Sequence, residues 1–406
     1  MPQAPLHFLH AHAMHPRGDM AVNLIWAQLA SRGAEAMGAT LGWIYLTDQL
    51  APQAEIVLRR LRERLPNVAW VGASGVGVLA TGVEYFDEPA VSVMICNLPA
   101  SEFRIFNGHH PMREQHDADF SAYAAQVHVD SQVQDLPELL EELAGHTDSG
   151  YLFGGVAVGR KAAVHISVNP KEALPGARAG VWTGGLSGVS FSPKVHLVSR
   201  MTQGCIPIGP SREVTESDRN VVYELDGQPA LGCLLQDLNL LADVTTEGWE
   251  REAIPRIRNT LVGIADADVD LMTHGQHFGA DTRVRHLVGL DPSRHGVAMG
   301  DYVEAGMRLA FCKRNANAAR QDLIRIAAEV REEFDPDQGA ASPPAGAVYI
   351  SCAGRGGDHF GSPHAEMEIL SHALGDIPIV GFFAGGEIAR HHLFGYTGVL
   401  TVFGSN

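Results

Sequence analysis

The stretch Val71–Val78, VGASGVGV, sets small residues directly after an apolar run, and Val380–Ile388, VGFFAGGEI, does the same near the other end of the chain. Gly72 and Gly381 occupy matching positions in the two stretches. Each stretch is followed by a second apolar run, PAVSVMI at 89–95 and TGVLTVF at 397–403. A small-residue turn that recurs between apolar strands predicts a duplicated supersecondary unit.

A third copy of this pattern lies between the two. A helix over Pro137–Ala144 is followed by YLFGGVAVG at 151–159 and then by GVWTGGLSGVSF at 180–191. The alternative is chance similarity among glycine-rich strands, since 44 glycines are spread over 406 residues. We expect the repeat because all three copies keep the same order of helix, strand, small-residue turn and strand.

Strands and helices alternate along both ends of the chain. Apolar alternation and helical spacing predict strands over 6–13, 41–47, 68–73, 90–98, 347–353, 377–382 and 398–403, and helices over 21–30, 52–64 and 363–374. In the middle, GQPALGCLLQDLNLLADV at 227–244 and the segment 315–333 have apolar residues at helical spacing. The pattern favours an α/β (or α+β) fold with helices covering the sheets and leaves the strand order open.

Composition excludes several functional classes. With 47 acidic against 30 basic side chains, the net charge of −17 would repel nucleic acid and anionic membrane surfaces. No run approaches the roughly 20 apolar residues of a membrane span, and the N-terminus does not resemble a secretion signal. Five scattered cysteines without a CxxC pair argue against a disulfide framework. We therefore expect a cytoplasmic protein without nucleic-acid or membrane partners.

The chain resembles the FIST family in several separated segments that follow family order. They are the 71–95 segment, GGVA at 154–157, GGLSGVSF at 184–191, TQGCIPIGPSREVTE at 202–216, VVYELDGQPAL at 221–231, VRHLVGLD at 284–291 and the FFAGGEI block. The resemblance implies two related domains, a FIST N-type domain over 1–225 with its core from about residue 30, and a FIST C-type domain over 226–406 with its core ending near 385. It further implies a sensory module that binds a small ligand, amino acids being the usual suggestion, and reports to a signalling protein such as a histidine kinase.

Some relatives resemble haem-binding nitric-oxide sensors, so haem is carried as an alternative cofactor. One axial histidine would be enough to ligate a haem iron. The sequence lacks the CxxCH attachment motif, so any haem would be bound non-covalently. Twenty histidines also raise the question of a metal, yet HExxH is absent. On a strand, His10 and His12 would share one face while His7 points to the other, so only a partial ligand set forms. We therefore predict no metal and no required cofactor.

The glycine-rich segment AGRGGDHFGSP at 353–363 is the first candidate ligand site. It runs into a helix expected to begin near Ser362, and helix N-termini favour anions. Arg355 could grip a ligand carboxylate, with Gly356 and Gly357 allowing close approach. The alternative is a surface loop with an ordinary helix cap.

Glu387 is the second candidate, because it follows a strand and the Gly385–Gly386 turn. Its carboxylate could receive an ammonium group, or instead cap backbone amides or pair with Arg390. By the repeat, this turn matches the region of Ser74, which we also include in the candidate site.

Cys205, in QGCIPIGP, completes the list of candidate ligand contacts. A nucleophilic cysteine needs a lowered pKa and a base, and nothing near Cys205 or Cys352 in the sequence supplies one. Packing is therefore the favoured role for both thiols, and a cysteine-dependent enzyme stays the second alternative. No other catalytic constellation can be recognised, so the sequence predicts a binding protein, not an enzyme.

Overall fold

The computed structural model describes residues 5–112, 120–160, 162–172, 180–240, 250–267, 271–273, 277–279, 282–335 and 342–405. The chain forms two compact units. Unit 1 contains Met1–Thr202 and Arg320–Asn406, and unit 2 contains Gln203–Ala319. The chain enters unit 2 after Thr202 and returns to unit 1 at Arg320.

The helices are α1 Gly18–Ser31, α2 Ala54–Arg64, α3 Leu136–Gly145, α4 Ala230–Asp237, α5 Glu250–Ile257, α6 Ala316–Glu333 and α7 Ala365–Leu374. The strands up to the end of the first part of unit 1 are β1 Phe8–Met14, β2 Leu41–Thr47, β3 Ala69–Gly75, β4 Gly77–Ala80, β5 Val83–Phe86, β6 Ala90–Cys96, β7 Phe103–Phe106, β8 Ala124–Asp130, β9 Tyr151–Ala157, β10 His165–Val168, β11 Val181–Trp182, β12 Leu186–Phe191 and β13 Leu197–Gln203. Those of unit 2 are β14 Cys205–Pro207, β15 Arg212–Asp218, β16 Val221–Leu225, β17 Gln228–Pro229, β18 Leu261–Ala265, β19 Met272–Thr273, β20 His277–Phe278, β21 Arg283–Asp291, β22 Gly296–Met299 and β23 Arg308–Arg314. The last part of unit 1 adds β24 Pro344–Cys352, β25 Ile379–Ala384, β26 Glu387–Arg390, β27 His392–Phe394 and β28 Thr397–Gly404.

The mixed α/β fold is confirmed, and unit 1 repeats one pattern three times. Each repeat contains a strand, a helix, a parallel strand, two short strands and a long return strand: β2-α2-β3-β4-β5-β6, then β8-α3-β9-β10-β11-β12, then β24-α7-β25-β26-β27-β28. In every repeat the first strand pairs in parallel with the second and antiparallel with the last. The third copy expected from the sequence is therefore present in the strand pairing.

Each repeat passes its two short strands to the sheet of another repeat. The three six-stranded sheets have the orders β1-β6-β2-β3-β10-β11, β7-β12-β8-β9-β26-β27 and β13-β28-β24-β25-β4-β5. Repeat 2 thus completes the sheet of repeat 1, repeat 3 completes that of repeat 2, and repeat 1 completes that of repeat 3. This cyclic exchange joins residues far apart in sequence into one unit.

A glycine in the second strand of each repeat makes the tight parallel pairing possible. A Cβ at Gly72, Gly154 or Gly381 would stand 1.8, 1.9 or 1.6 Å from the carbonyl oxygen of Ile44, Val127 or Tyr349 on the neighbouring strand. Atoms cannot approach so closely, so an alanine would push the two strands apart. The sequence match of Gly72 with Gly381 therefore reflects a steric requirement of the fold.

The sheets bury their inner faces against one another. Tyr45 stacks on Phe382 with ring centroids 5.1 Å apart, and both rings contact His128 at 5.7 and 6.0 Å. Gln126 links this centre to Trp43 by accepting its indole N–H at 2.7 Å, and donates to the Tyr45 hydroxyl at 2.7 Å. On the outside, α2 buries Ala54, Val57, Leu58 and Leu61, the apolar side of an amphipathic helix.

Unit 2 contains a sheet that closes on itself. The order β23-β15-β16-β22-β21-β18 returns to β23, because β23 pairs with both β15 and β18. Helix α4 buries Ala230, Leu231, Cys233, Leu234 and Leu235. Pro229 stands immediately before that helix, where a residue without an N–H is tolerated.

Several predicted boundaries were wrong by a few residues, and each has a local cause. The helix expected from Pro52 begins at Ala54, because Ala51–Gln53 form a 3-10 turn. The helix expected from Pro363 begins at Ala365, after His364 in a left-handed conformation. Strand β25 begins at Ile379 instead of Ile377 and extends to Ala384, since Pro378 cannot donate to the sheet.

Candidate functional site

The carboxyl end of β24 gathers polar and ionisable side chains that are buried within unit 1. We call this set the Arg355 cluster, and its members are Glu84, Tyr349, Ser351, Cys352, Arg355, Glu366 and Glu387. Strand β24 runs parallel to β25, and α7 connects them. The residues that follow β24 therefore lie at the sheet edge where α/β proteins commonly hold ligands.

Arg355 and Glu366 form the ion pair at the centre of the cluster. The Arg355 Nε donates to Glu366 Oε1 at 2.9 Å, and Nη2 lies 2.8 Å from the same oxygen without good hydrogen-bond alignment. The guanidinium also lies over the Phe360 ring, 5.1 Å from its centroid. Arg355 is 1% exposed and Glu366 is fully buried, so neither charge is screened by water.

Glu366 is saturated by donors, whereas Arg355 is not saturated by acceptors. The hydroxyls of Tyr349 and Ser351 donate to Glu366 at 2.6 Å and at 3.0–3.1 Å. Arg355 Nη1 is buried and has no hydrogen-bond partner among the described residues. Glu366 therefore orients Arg355, and the guanidinium keeps a free donor edge.

Glu387 enters the cluster from β26, which belongs to the same repeat but pairs with β9. Its Oε2 accepts from the backbone N–H and the hydroxyl of Thr397 at 3.1 and 2.8 Å. Its Oε1 is buried without a hydrogen-bond partner in the described part of the chain. Burial raises the pKa of Glu387 to about 8, while Thr397, Arg355 and Cys352 act in the opposite direction.

These contacts show one of the roles considered for Glu387. The carboxylate caps the Thr397 amide, as one of the alternatives predicted, whereas Arg390 is exposed. The free Oε1 still leaves room for the other alternative, an ammonium partner. Arg355 is close enough to lower the pKa of Glu387 by its charge, so the structure brings these two predicted residues together.

Glu84 completes the cluster from β5 of the first repeat. Its Oε1 accepts the backbone N–H groups of Glu366 and Met367 at 3.0 and 3.2 Å, and so caps the N-terminus of α7. Burial and the neighbouring Glu366 charge raise the pKa of Glu84 to about 7. Sequence analysis missed this residue because its partners lie more than 280 positions away.

The N-terminus of α7 differs in two respects from the open anion site expected there. The backbone N–H groups at the start of the helix already donate to the carboxylate of Glu84. Arg355 is buried instead of lying on an open loop. Ser362 is exposed and precedes the helix by three positions. Gly356 packs against the Phe86 ring and Gly357 adopts a positive φ of 70°, so both serve the path of the chain around Arg355.

The other predicted residues lie at different strand ends. Gly385 donates its N–H to the Val156 carbonyl and Gly386 accepts from the Val156 N–H, both at 2.9 Å, so this turn joins β25 to the sheet of repeat 2. Ser74 is buried near the end of β3, where its Oγ accepts the Val164 N–H at 3.0 Å. The part of each residue in ligand binding stays a prediction.

The two candidate cysteines are both buried. The pKa of the Cys352 thiol is raised by burial and then by the Glu387 charge, which is the reverse of activation. Cys205 belongs to unit 2 and lies beside Cys312, whose pKa is raised by burial and by this neighbour. The part of Cys205 in ligand binding stays a prediction.

The histidines do not form a metal centre in the described ranges, where no group of three or more His, Cys, Asp or Glu side chains could hold an ion. His10 and His12 stack at 6.3 Å between ring centroids, and His12 Nδ1 lies 2.6 Å from the Tyr85 hydroxyl. Burial lowers the pKa of His10 to about 4, with Arg32 adding to the effect. Within the described residues no helix is long and apolar enough to cross a membrane.

Comparison with known proteins gives the family. A FIST N domain model matches residues 40–228, and a FIST C domain model matches residues 230–390. The chain belongs to the FIST family. FIST domains are associated with sensory and signal-transduction roles and with small-ligand binding, and they are sensory rather than catalytic. The first match ends at residue 228 and the second begins at residue 230.

The curated relatives of this FIST protein are mycobacterial. An uncharacterized protein of Mycobacterium tuberculosis strain H37Rv is 31% identical over 403 residues, which covers 91% of this chain and 92% of that protein. A second uncharacterized protein, from Mycobacterium bovis, is 30% identical over 239 residues, and the aligned region covers 55% of this chain and 54% of that protein.

Among solved structures, cyanuric acid hydrolase from A. caulinodans is 12% identical and covers 99% of this chain and 100% of its own at a TM-score of 0.29. Phosphoribosylformylglycinamidine synthase II from Thermotoga maritima is 11% identical and covers 98% and 72% at a TM-score of 0.23. At these TM-scores neither likeness carries an argument about this chain.

Proposed function

We propose that this protein is a cytoplasmic sensor that binds a small amine-bearing ligand, such as an amino acid, at the Arg355 cluster and reports its presence to a signalling protein such as a histidine kinase. The observation that supports this most is a pair of unused polar atoms, Arg355 Nη1 and Glu387 Oε1. Both are buried, both belong to one cluster, and neither has a hydrogen-bond partner among the described residues. Buried polar groups are rarely left unpaired without a reason.

The two atoms have complementary chemistry. Arg355 Nη1 is a donor suited to a ligand carboxylate, and Glu387 Oε1 is an acceptor suited to an ammonium group. An amino acid carries both groups on one carbon. Binding would therefore pair both unused atoms with the head group common to all amino acids, while the side chain would decide between them.

Entry of a ligand requires movement of the segment 353–364, because Arg355 is 1% exposed and Glu387 is fully buried. That segment contains two short 3-10 turns. Gly357 and Gly361 in it adopt positive φ values of 70° and 87°, and Gly361–Pro363 are exposed. A ligand that binds only one of the two arrangements of the segment 353–364, open or closed, would shift the equilibrium between them. A signalling partner could then recognise the arrangement that the ligand favours.

Thermal-shift measurements with the standard amino acids test the proposal. We expect at least one to raise the unfolding temperature of the wild-type protein, and the shift to disappear in Arg355→Lys and in Glu387→Gln. Glu102→Gln is the matched control, because Glu102 is a buried carboxylate of unit 1 that binds Ser192 and Lys194. If no amino acid stabilises the protein, or if Glu387→Gln responds as the wild type does, the proposal is wrong.

A further inference from the structure

The Arg355 cluster contains more acidic groups than basic ones. Arg355 is the cation, and Glu84, Glu366 and Glu387 are the carboxyl groups. Glu366 neutralises Arg355 at 2.8–2.9 Å, and Glu84 receives two backbone N–H groups at the N-terminus of α7, where the helix dipole favours an anion. Glu387 has neither a paired cation nor a helix end.

The groups that face Glu387 come from each element packed against it. Thr397 at the start of β28 supplies two neutral hydrogen bonds, Cys352 on β24 supplies a thiol, and Arg355 supplies a positive charge whose nearest partner is Glu366. On β9 the residue opposite Glu387 is Gly155, which has no side chain. On β27 the opposite residue is the apolar Phe394. An ionised Glu387 would thus be a buried anion without a dedicated cation.

A protein without ligand avoids this unpaired charge by keeping the carboxyl group protonated, which agrees with the pKa of Glu387 being raised to about 8 by burial. We infer that the ligand of the Arg355 cluster must bring a positive charge, supplied by an ammonium or a related organic cation, and that Glu387 gives up its proton to solvent when this cation arrives. The inference rests on the proposed function and adds the charge class of the ligand and its coupling to pH.

The exchange is balanced in charge and in atoms. The neutral carboxyl group of Glu387 and the free cation become a carboxylate paired with the bound cation, and one proton passes to water. A group with a pKa of about 8 is protonated in roughly nine of ten molecules at pH 7. Binding at pH 7 should therefore release roughly 0.9 proton per ligand. Below a pH of about 8, affinity should increase almost tenfold for each unit by which the pH is raised.

Three probe series separate the possible ligand charges: the standard amino acids as zwitterions, their carboxamides as cations and their N-acetyl derivatives as anions. We expect stabilisation by carboxamides and by amino acids, and none by N-acetyl derivatives. Calorimetry of the best amino acid at pH 7 in two buffers of different ionisation enthalpy should then show the proton release. Glu387→Gln should show neither amino acid binding nor proton release, whereas Glu102→Gln should keep the binding, the release and the pH dependence.

An infrared readout tests the same step. At pH 7 the carbonyl band of protonated carboxylic acids should be weaker in Glu387→Gln than in the wild type, and the band that remains in the variant belongs to Glu84, whose pKa is raised to about 7. An amino acid ligand should weaken the band of the wild type and leave that of Glu387→Gln unchanged. If anions bind as tightly as amines, or if binding is independent of pH, the inference is overturned while a ligand-binding function survives. If Glu84→Gln and not Glu387→Gln loses the proton release, the proton belongs to Glu84 and the assignment is wrong. If no probe of any series binds, the proposed function itself fails.

Discussion

Replacing Glu366 by Gln tests whether the Arg355 cluster is held together by one buried ion pair. The substitution keeps the size of the side chain and removes the charge that neutralises Arg355, which is 1% exposed. Leaving a buried charge without its partner typically destabilises a protein by about 3–5 kcal/mol. That is a large part of the roughly 5–15 kcal/mol that stabilises an ordinary domain.

Urea unfolding followed by tryptophan fluorescence measures the effect, because Trp26, Trp43, Trp70 and Trp182 all belong to unit 1. The matched control is Glu63→Gln, which breaks an ion pair with Arg60 whose two side chains are each 49% exposed. An exposed pair contributes at most about 1 kcal/mol.

A second variant separates loss of the pair from loss of charge balance. In Arg355→Met combined with Glu366→Gln no buried charge stays unpaired, so the double variant should be more stable than Glu366→Gln alone. A loss of less than about 1 kcal/mol in Glu366→Gln would show that Arg355 finds another partner. Simple additivity in the double variant would show that the two side chains do not depend on each other.

Four further outcomes follow from the structure. Gly381→Ala should unfold unit 1 or leave the protein insoluble, because the new Cβ would stand 1.6 Å from the backbone carbonyl oxygen of Tyr349. In the control Gly145→Ala, at the end of α3, the new Cβ meets no atom within 4 Å, so the unfolding temperature should stay the same or rise slightly. The free energy of unfolding should fall as pH rises from about 4.5 to about 8, because the folded state holds protons on Glu84 and Glu387 that the unfolded state has lost; urea titrations at several pH values should show a shallower fall in Glu387→Gln. Below pH 6.5 the histidines give the opposite pH dependence. Burial lowers the pKa of His128 to about 3 and that of His10 to about 4, so the unfolded state takes up protons that the folded state does not, and the free energy of unfolding should fall as the pH drops. His10→Gln should reduce this fall in acid titrations. Mild thiol reagents at neutral pH should leave Cys352 unlabelled, as judged by peptide mapping, and selective labelling of Cys352 would favour the cysteine-enzyme alternative. Haem reconstitution should give no Soret band, and a stable Soret band would favour the haem alternative.

The repeat could be predicted from sequence because steric necessity leaves a trace in single residues. Gly72 and Gly381 match since a Cβ at either would strike the carbonyl oxygen of the neighbouring strand. The exchange of short strands leaves no such trace. The pairing of β4 with β25 joins residues some 300 positions apart, and an antiparallel pair has the same local pattern whichever strand it joins.

The candidate site was predictable only in part for the same reason. Arg355 and Glu387 stand beside glycine turns at strand ends, and such turns mark places where side chains can converge. Burial of Arg355 was not predictable, because AGRGGDHFGSP has the composition of an exposed loop. The loop is covered from elsewhere: Phe86 packs on Gly356, and Glu84 caps the helix that follows.

Comparison of the three repeats indicates why the third repeat would hold the ligand site. Thr47, Asp130 and Cys352 occupy equivalent positions at the end of the first strand. Thr47 Oγ1 accepts the N–H of Ala90, the first residue of the return strand β6, at 3.0 Å. Asp130 Oδ2 accepts the N–H of Gly184, just before the return strand β12, at 2.8 Å. In repeats 1 and 2 this position therefore ties the end of the first strand to the beginning of the return strand.

The neighbouring position is where the repeats differ. Val78, His165 and Glu387 occupy equivalent positions. Each lies opposite the residue that follows the equivalent glycine of the neighbouring strand, namely Phe382 after Gly381, Ala73 after Gly72 and Gly155 after Gly154. Val78 is apolar, and His165 uses both ring nitrogens, on the Ser187 hydroxyl at 2.7 Å and the Gly184 carbonyl at 3.0 Å. Glu387 retains an unused buried acceptor. Since this feature is found at one of the three equivalent positions, the threefold fold should bind its ligand once per chain, and calorimetry should give a stoichiometry near one instead of three.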